Sequence, residues 1–465
     1  MLRIGGQKVP AKALFLALCD GLLVVLGLLA AVAIRFPRVP WASAYLRQAD
    51  MPVRFALVGL VCGLAMYYND MYNCQVISRR SELFRRLLQS LGVACLALAL
   101  LYYISPDLGL GRGIALLAAP TIFVFMLSWR LLVDASGLLV RPSQRVLIVG
   151  TGSIGIALAR EIGSRPDLGL KVIGFLDEQG ENIGKSFVNP KVIGATCEVE
   201  SVVEREKVER VVVSLAERRG RTPVLQLLHL KFAGVPVEDA HSFYERISGR
   251  ILLDQLSPSW LFLSEGFSKS AFLVLAKRAF DLSFSSVAIL LAFPIMVLVA
   301  LAVWIESGSP IFFCQRRIGL GGHPFEIVKF RSMQKNAEEE GPRWAEDRDH
   351  RITRVGRFIR RYRLDELPQL FNVLRGDMSL VGPRPEQPKF CATLEREIPF
   401  FGQRHSVRPG ITGWAQIKFQ YGASIEEARA KLEYDLFYIK HMSPLLDLAI
   451  LFETGKVILL GRGAK

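Results

Sequence analysis

The residues best suited to chemistry lie in a basic stretch around two adjacent carboxylates, Asp365 and Glu366, within RRYRLDELPQLFNVL (360–374). Apolar Ile359, Leu367, Leu370, Phe371 and Leu374 recur at helical spacing, which predicts a helix with Arg361 four residues before Asp365 on the same face. Neighbouring residues on a helix point about 100° apart. One carboxylate could then face a phosphorus atom while the other helps to hold a metal. Magnesium suits such a place, because it takes one or two carboxylates together with phosphate oxygens. The dipeptide by itself is read more simply as a surface pair in salt bridges with its arginines.

Candidate cations flank this pair on both sides. Between Ile311 and Arg363 there are thirteen Lys/Arg against seven Asp/Glu. The part 338–351 mixes both signs and reads as a solvated face. KFRSM (329–333) differs, since it follows the alternating PFEIV (324–328) that predicts a strand. Lys329 and Arg331 thus sit at a strand end next to an apolar segment, where they could neutralise a diphosphate. In GPRPE (382–386), two prolines pin Arg384 in a rigid turn. That suits either a fixed phosphate clamp or an arginine that ties a loop to a carboxylate.

These residues need a membrane-bound scaffold. Hydrophobic residues make up 51% and charged residues 22% of the 465, with a formal net charge of +15. The length implies two or three domains, and the composition implies membrane segments. No nucleic-acid-binding motif is present, so the positive charge points to anionic lipid or a phosphate-rich substrate. Seven scattered cysteines without a CxxC pair, and histidines without HxxxH spacing, argue against a disulfide framework or a zinc site.

Four apolar runs, roughly Ala13–Ile34, Val53–Tyr68, Leu87–Ile104 and Gly113–Val133, approach the length of a membrane helix. Arg79, Arg80, Arg85 and Arg86 between runs two and three, and Arg141 and Arg145 after run four, place those segments in the cytoplasm. Arg35, Arg38, Arg47 and Arg54 in the first loop oppose this assignment but are less dense. Asp20, inside the first run, is a functional candidate by default, or more simply a packing partner for a basic or polar group.

From Ser143 to Asp254 the pattern is βαβ. RVLIVG (145–150) reads as a buried strand, followed by a turn carrying Gly150, Gly152 and Gly155 and then a helix. A second strand ends in Asp177, and VERVVVS (208–214) is a third. Such a turn can bring a helix N-terminus against a phosphate. No Tyr-xxx-Lys pair follows, and glycine retained for tight packing is the simpler reading. From Phe267 onward comes KRAFD (277–281) and then an apolar stretch to Ile305 with Pro294 in its middle. Lys277 and Arg278 precede that stretch, and Arg316 and Arg317 follow it. A proline interrupts a helix, and basic residues at both ends favour a segment that enters the membrane, breaks at Pro294 and returns.

The combination of motifs in the last 190 or so residues resembles the bacterial sugar transferase family, the monotopic polyprenyl-phosphate phosphoglycosyl transferases. It comprises KRAFD, the proline-bearing helix, PIFFCQRRIG (310–319), KFRSM, LDELPQLFNVLRGDMSLVGPRPE (364–386) and RPGITGWAQ (408–416), in family order. The whole arrangement resembles large members that initiate exopolysaccharide or O-antigen repeat units. The stretch 244–267 is similar to an exosortase-associated subgroup. One departure is Phe293-Pro294 where the family often has Ser-Pro.

The resemblance implies a multidomain membrane protein: a four-helix transmembrane domain (1–140), a cytoplasmic α/β Rossmann-like domain (141–266) and a mixed α/β catalytic domain (267–465) with a re-entrant helix at about 279–305. It also implies transfer of a sugar-1-phosphate from a UDP-sugar to undecaprenyl phosphate, with release of UMP. In that scheme Asp365 is the nucleophile that carries a covalent phosphosugar, Glu366 the Mg2+ ligand, and Lys329, Arg331, Arg360 and Arg384 bind phosphate. The expected setting is the bacterial inner membrane, with the catalytic domain cytoplasmic, lipid as neighbour, a homodimer, and no nucleic acid. A membrane-bound nucleotide-sugar dehydratase or epimerase would need a second glycine-rich turn and a Tyr-xxx-Lys pair. A nucleotide sensor reading Gly150–Gly155 would leave the constellation from Lys329 to Glu386 unexplained.

Overall fold

The computed structural model describes residues 3–4, 7–8, 11–72, 80–136, 144–215, 223–253, 264–335, 351–419 and 424–459. Arg79, Arg141, Cys74, the middle of the stretch 244–267 and all of 338–351 except Arg351 lie outside the described residues. The chain divides into two compact units, essentially residues 8–240 and 241–465.

The first unit begins with the helices α1 (Ala11–Arg35), α2 (Val39–Leu46), α3 (Met51–Tyr68), α4 (Arg80–Ile104) and α5 (Arg112–Ala135). Four of them, α1, α3, α4 and α5, are long and apolar enough to cross a membrane. Their inner faces pack Val24, Leu28 and Val32 against Ile114, Ile122 and Met126. Leu18, Leu96, Leu100 and Leu116 point outward with more than half their surface open, which suits a lipid exterior. Asp20 meets Arg130 at 2.5 Å, both side chains being 2% exposed. The carboxylate therefore has the basic packing partner anticipated for it.

The α/β part follows, with β1 (Gln144–Val149), α6 (Ser153–Ser164), β2 (Leu170–Asp177), β3 (Val192–Ala195), α7 (Val199–Arg205), β4 (Arg210–Val213), α8 (Val224–Phe232) and β5 (Val237–Asp239). The sheet is parallel with order β3-β2-β1-β4-β5, a doubly wound arrangement. Central strand β1 has four consecutive fully buried residues, Val146–Val149, as expected for a strand covered on both faces.

The second unit contains α9 (Ala240–Ser248), whose first residue belongs to the other unit, and the long helix α10 (Ala271–Ser307). An antiparallel hairpin follows, β6 (Phe312–Ile318) with β7 (Pro324–Phe330), in register from Phe312↔Phe330 to Ile318↔Pro324. Then come α11 (Arg354–Arg361), a 3-10 turn at Leu364–Glu366, α12 (Gln369–Arg375), β8 (Ser379–Val381), α13 (Pro388–Glu397), β9 (Gly410–Thr412), α14 (Trp414–Lys418), α15 (Ile425–His441) and α16 (Pro444–Leu459). Strands β8 and β9 pair in parallel. The core gathers Val373, Met378, Val381, Trp414, Leu436, Phe437 and Ile450.

Two sequence expectations change here. The apolar stretch with Pro294 was expected to break, yet α10 runs as one helix from Ala271 to Ser307 with Pro294 inside it. A proline removes one N–H and crowds the carbonyl four residues back. That loss is local when packing holds the helix on both sides, as it does here: Lys277, Asp281 and Ser285 are buried on one side of Pro294, and Met296, Val299 and Val303 on the other. The single helix predicted across 359–374 is instead divided in three. Arg363 takes a left-handed conformation with φ 53°, which ends α11. Pro368 then restricts the backbone just before α12. Asp365 and Glu366 therefore lie on a 3-10 turn, where successive side chains diverge by about 120°.

Candidate active site

The backbone segments that carry the candidate site are fixed by identifiable contacts. Asn372 of α12 is 1% exposed. Its amide donates to the Glu326 carbonyl at 2.7 Å and accepts from the Val328 N–H at 3.1 Å. This fixes β7 against α12 and aims Lys329, the next residue. Arg278 of α10 donates to the carbonyls of Val373 and Leu374 at 2.6 and 2.9 Å, satisfying the C-terminal end of α12.

The turn bearing Arg384 is fixed at four consecutive carbonyls. Pro383 O accepts from Gly410 N (2.9 Å), Arg384 O from Arg404 Nη2 (2.8 Å), Pro385 O from Arg317 Nη1 (3.2 Å) and Glu386 O from Ile318 N (2.9 Å). Gly382 permits the closeness of this crossing, since a Cβ there would collide with the carbonyl of Arg408.

At the centre, Glu366 is 9% exposed. Its Oε1 accepts from Arg384 Nη2 at 2.9 Å and faces Lys329 Nζ at 3.5 Å. Burial opposes ionisation of this carboxyl, but the Arg384 and Lys329 charges together outweigh it and hold Glu366 well below the usual carboxylate range. Asp365 differs. Burial, reinforced by the Glu366 charge, pushes it up to about 6, against the pull of Lys329, Arg360 and Arg384. Burial also lowers Lys329, while the Glu366 charge opposes that shift. Among the described residues, no hydrogen bond to the Asp365 carboxylate is present. A carboxylate without hydrogen bonds in a ring of cations has lone pairs available for an electrophile and counter-charges for an anionic one.

The structure thus brings together Asp365, Glu366, Lys329, Arg360 and Arg384. Arg331 is placed differently. It is 6% exposed, and its Nη2 caps α10 through Ser307 O and Gly308 O at 2.8 and 2.7 Å. The glycine turn of the first unit is filled by its own chain. A Cβ at Gly150 or Gly152 would meet Ser214 O at 2.7 or 2.8 Å, and one at Gly155 would meet Ser214 Oγ at 2.7 Å. Asp177, at the end of β2, accepts from Thr151 Oγ1 and Asn182 Nδ2, each at 3.1 Å.

A second layer went unrecognised in the sequence reading. Lys277 of α10 reaches Asp447 Oδ2 (2.7 Å) and Val381 O (3.1 Å), and Tyr438 OH reaches Asp447 Oδ1 (2.7 Å) and Val381 O (3.0 Å). Asp281 accepts from Ser379 Oγ (3.0 Å) and Leu380 N (3.1 Å). All five side chains are buried. The available signal was charge at four-residue spacing inside an apolar helix, together with the lone Asp447 early in apolar α16.

A divalent cation is compatible with the carboxylate pair. Among the described residues no group of three or more His, Cys, Asp or Glu side chains forms a protein cage. Two adjacent carboxylates, one of them free of hydrogen bonds, match the sparse ligation magnesium uses when phosphates complete its shell.

The family model for bacterial sugar transferases matches residues 272–461, and a model for a CoA-binding domain matches residues 68–234. An uncharacterized sugar transferase, EpsL, of Bacillus subtilis (strain 168) is 40% identical over 195 residues, covering 41% of this chain and 90% of the relative. The chain belongs to the bacterial sugar transferase family. It is also 44% identical over 239 residues to a UDP-N-acetylgalactosamine-undecaprenyl-phosphate N-acetylgalactosaminephosphotransferase of Aeromonas hydrophila, covering 51% of the chain and 56% of the relative. An undecaprenyl-phosphate glucose phosphotransferase of Komagataeibacter xylinus is 34% identical over 340 residues, covering 70% of the chain and 60% of the relative. This bacterial sugar transferase therefore spans less than two thirds of the length of those last two relatives.

Proposed function

We propose that this protein transfers the sugar-1-phosphate of a UDP-sugar to undecaprenyl phosphate at the inner face of a bacterial cytoplasmic membrane, as an early step in building a surface glycan. The observation that carries the reading is Asp365, a carboxylate free of hydrogen bonds among the described residues and set among cations that a diphosphate would engage. The names of the relatives supply the substrate class.

In the first half-reaction an Asp365 oxygen attacks the phosphorus that bears the sugar. The bond from that phosphorus to the bridging oxygen breaks, and UMP departs with the oxygen and its electron pair. The sugar-phosphate remains on Asp365 as an acyl phosphate. In the second half-reaction a terminal oxygen of undecaprenyl phosphate attacks the same phosphorus, and the Asp365 carboxylate leaves. No proton need move in either step. Lys329, Arg360 and Arg384 neutralise the phosphoryl oxygens as charge redistributes. Glu366, with Asp365 beside it, would hold Mg2+, which supplies further positive charge to the phosphoryl group when bound.

The same proposal takes α10 as re-entrant, the continuous helix bending at Pro294 without being interrupted there. Its N-terminal half is tied to β8 and α16 through Lys277 and Asp281, and its C-terminal half packs Val299 and Val303 against Phe330 and Ile359. Both ends thus meet elements of one polar unit, which favours placing them on one side of the bilayer.

The test is rapid mixing of pure enzyme with radiolabelled UDP-sugars, acceptor absent. About one equivalent of UMP and a protein-bound label that Asp365→Asn abolishes are expected. If the productive sugar gives neither, the covalent role of Asp365 is wrong.

A further inference from the structure

A cleft opens beside Arg384, lined also by Arg404, Ala415, Gln416, Phe419 and Lys431. Arg384 is one of its walls and donates to Glu366 at 2.9 Å, so a ligand whose phosphates sit at the carboxylate pair has a short path into it. Ala415 and Phe419 supply apolar wall, and Gln416 and Lys431 line the same space.

Gln416 gives the cleft a chemical preference. Its Nε2 donates to the Ile411 carbonyl at 3.3 Å. That contact needs the amide nitrogen, so the oxygen is the atom left to face elsewhere. Gln416 Oε1 is buried and has no hydrogen-bond partner among the described residues. A buried acceptor left unpaired is costly and is satisfied by a ligand donor. The remaining charged lining includes the carboxylates Glu386 and Asp435, the latter engaged by Arg404 at 2.9 Å. With the cations Arg384, Arg404 and Lys431 on the same walls, the lining is of mixed sign and suits a ligand end that carries donors and acceptors without net charge.

On the reading given under Proposed function, we propose that this cleft seats the uracil base of the nucleotide donor, its N3–H donating to Gln416 Oε1 and its face lying against Phe419. Aromatic side chains favour stacking on a flat, unsaturated ring. Cytosine presents a lone pair at N3 and would repel the same oxygen, so Gln416 distinguishes uridine from cytidine nucleotides. The base sits in the departing half of the donor, so the contact serves the first half-reaction alone.

The experiment measures binding of UMP, N3-methyl-UMP and CMP to the full chain in nanodiscs by equilibrium dialysis, for wild type, Gln416→Leu and Phe419→Leu. Wild type should bind UMP about tenfold or more tightly than either analogue, the scale of one buried hydrogen bond. Gln416→Leu should lose about that factor for UMP and bind all three within about twofold. Phe419→Leu should weaken all three alike. In steady-state assays Gln416→Leu should lower kcat/KM for the UDP-sugar and leave kcat/KM for undecaprenyl phosphate unchanged. Full base discrimination in folded Gln416→Leu overturns the proposal. So does a changed preference between UDP-glucose and UDP-N-acetylgalactosamine with base discrimination intact, which would make the cleft a sugar site. Dialysis needs no turnover. Selective UMP binding in a chain inactive toward every UDP-sugar would therefore sink the proposed function and keep the subsite.

Discussion

Replacing Asp365 with asparagine should stabilise the protein while abolishing turnover. Asp365 is buried beside the Glu366 charge, and its carboxyl is displaced from an ordinary 3.8 to about 6. Keeping such a group ionised at neutral pH corresponds to roughly 3 kcal/mol of destabilisation. Partial solvent contact at Asp365 screens this to roughly 2 kcal/mol. For a unit of 150–250 residues that is a rise of roughly 4–8 °C in the melting midpoint of Asp365→Asn. The assay is thermal unfolding of full-length protein in nanodiscs with chelator present, so that no divalent cation offsets the repulsion. Because the folded carboxyl titrates above the unfolded one, its favourable contribution is present below about pH 4 and lost as pH rises through about 6. The gap between variant and wild type should therefore be full above pH 6 and shrink toward zero near pH 4. Wild-type turnover should fall as pH is lowered through about 6, since only the carboxylate attacks. An Asp365→Asn protein that melts at or below wild type at pH 7.5, or a gap that ignores pH, would refute the reasoning.

Further expectations concern the surrounding elements. Lys277→Met strands the Asp447 carboxylate, which is 0% exposed, and should destabilise the protein by about 3–5 kcal/mol. Adding Asp447→Leu should recover much of that loss in the same melting assay, and no recovery would show that the pair is not coupled. Single cysteines at Ser268 and His323, in a cysteine-free background, should both resist an impermeant maleimide on intact cells and both react after permeabilisation. Labelling of one end only would mean that α10 crosses the membrane. Gly155→Val should lower the yield of folded protein, because a Cβ there meets Ser214 Oγ at 2.7 Å. The folded fraction should keep most of its turnover, and a large loss in well-folded protein would give the glycine turn a working role.

Periodicity was enough to find the apolar helices and the βαβ order, because spacing alone encodes them. It failed between Ile359 and Leu374 because apolar residues at helical spacing also fit two short helices joined by a tight turn. The decisive features there, the left-handed Arg363 and the constraint of Pro368, are local backbone facts that the stripe overrides when read from a distance. The same limit applies at Pro294, where the sequence shows the missing N–H but not the packing that carries the helix through. Lys329, Arg360, Arg384, Asp365 and Glu366 come from four separate segments, and only tertiary contacts such as that of Asn372 with β7 bring them together. Arg331 resembles its neighbour Lys329 in the sequence, yet two positions further along the chain its guanidinium caps a helix.

That difference between Lys329 and Arg331 indicates how the membrane helix and the charge cluster are coupled. At its C-terminal end α10 is held by Arg331, two residues beyond Lys329. At its N-terminal half Asp281 and Lys277 hold β8 at Ser379, Leu380 and Val381, and Arg384 follows three residues later. Arg278, between them, caps the helix that carries Asn372. Lys329 and Arg384, which meet Glu366 at 3.5 and 2.9 Å, are therefore suspended from α10, one from each end. A shift of this helix relative to the hairpin or to β8 would separate Lys329 from Arg384, lift the counter-charges from Glu366 and raise the electrostatic cost of two adjacent ionised carboxylates. The buried polar contacts along α10 resist that shift, because breaking any one of them leaves a buried charge or donor unpaired. The helix α10 thus sets the spacing of the cations at Glu366, and on the proposed function its packing is a condition of the chemistry.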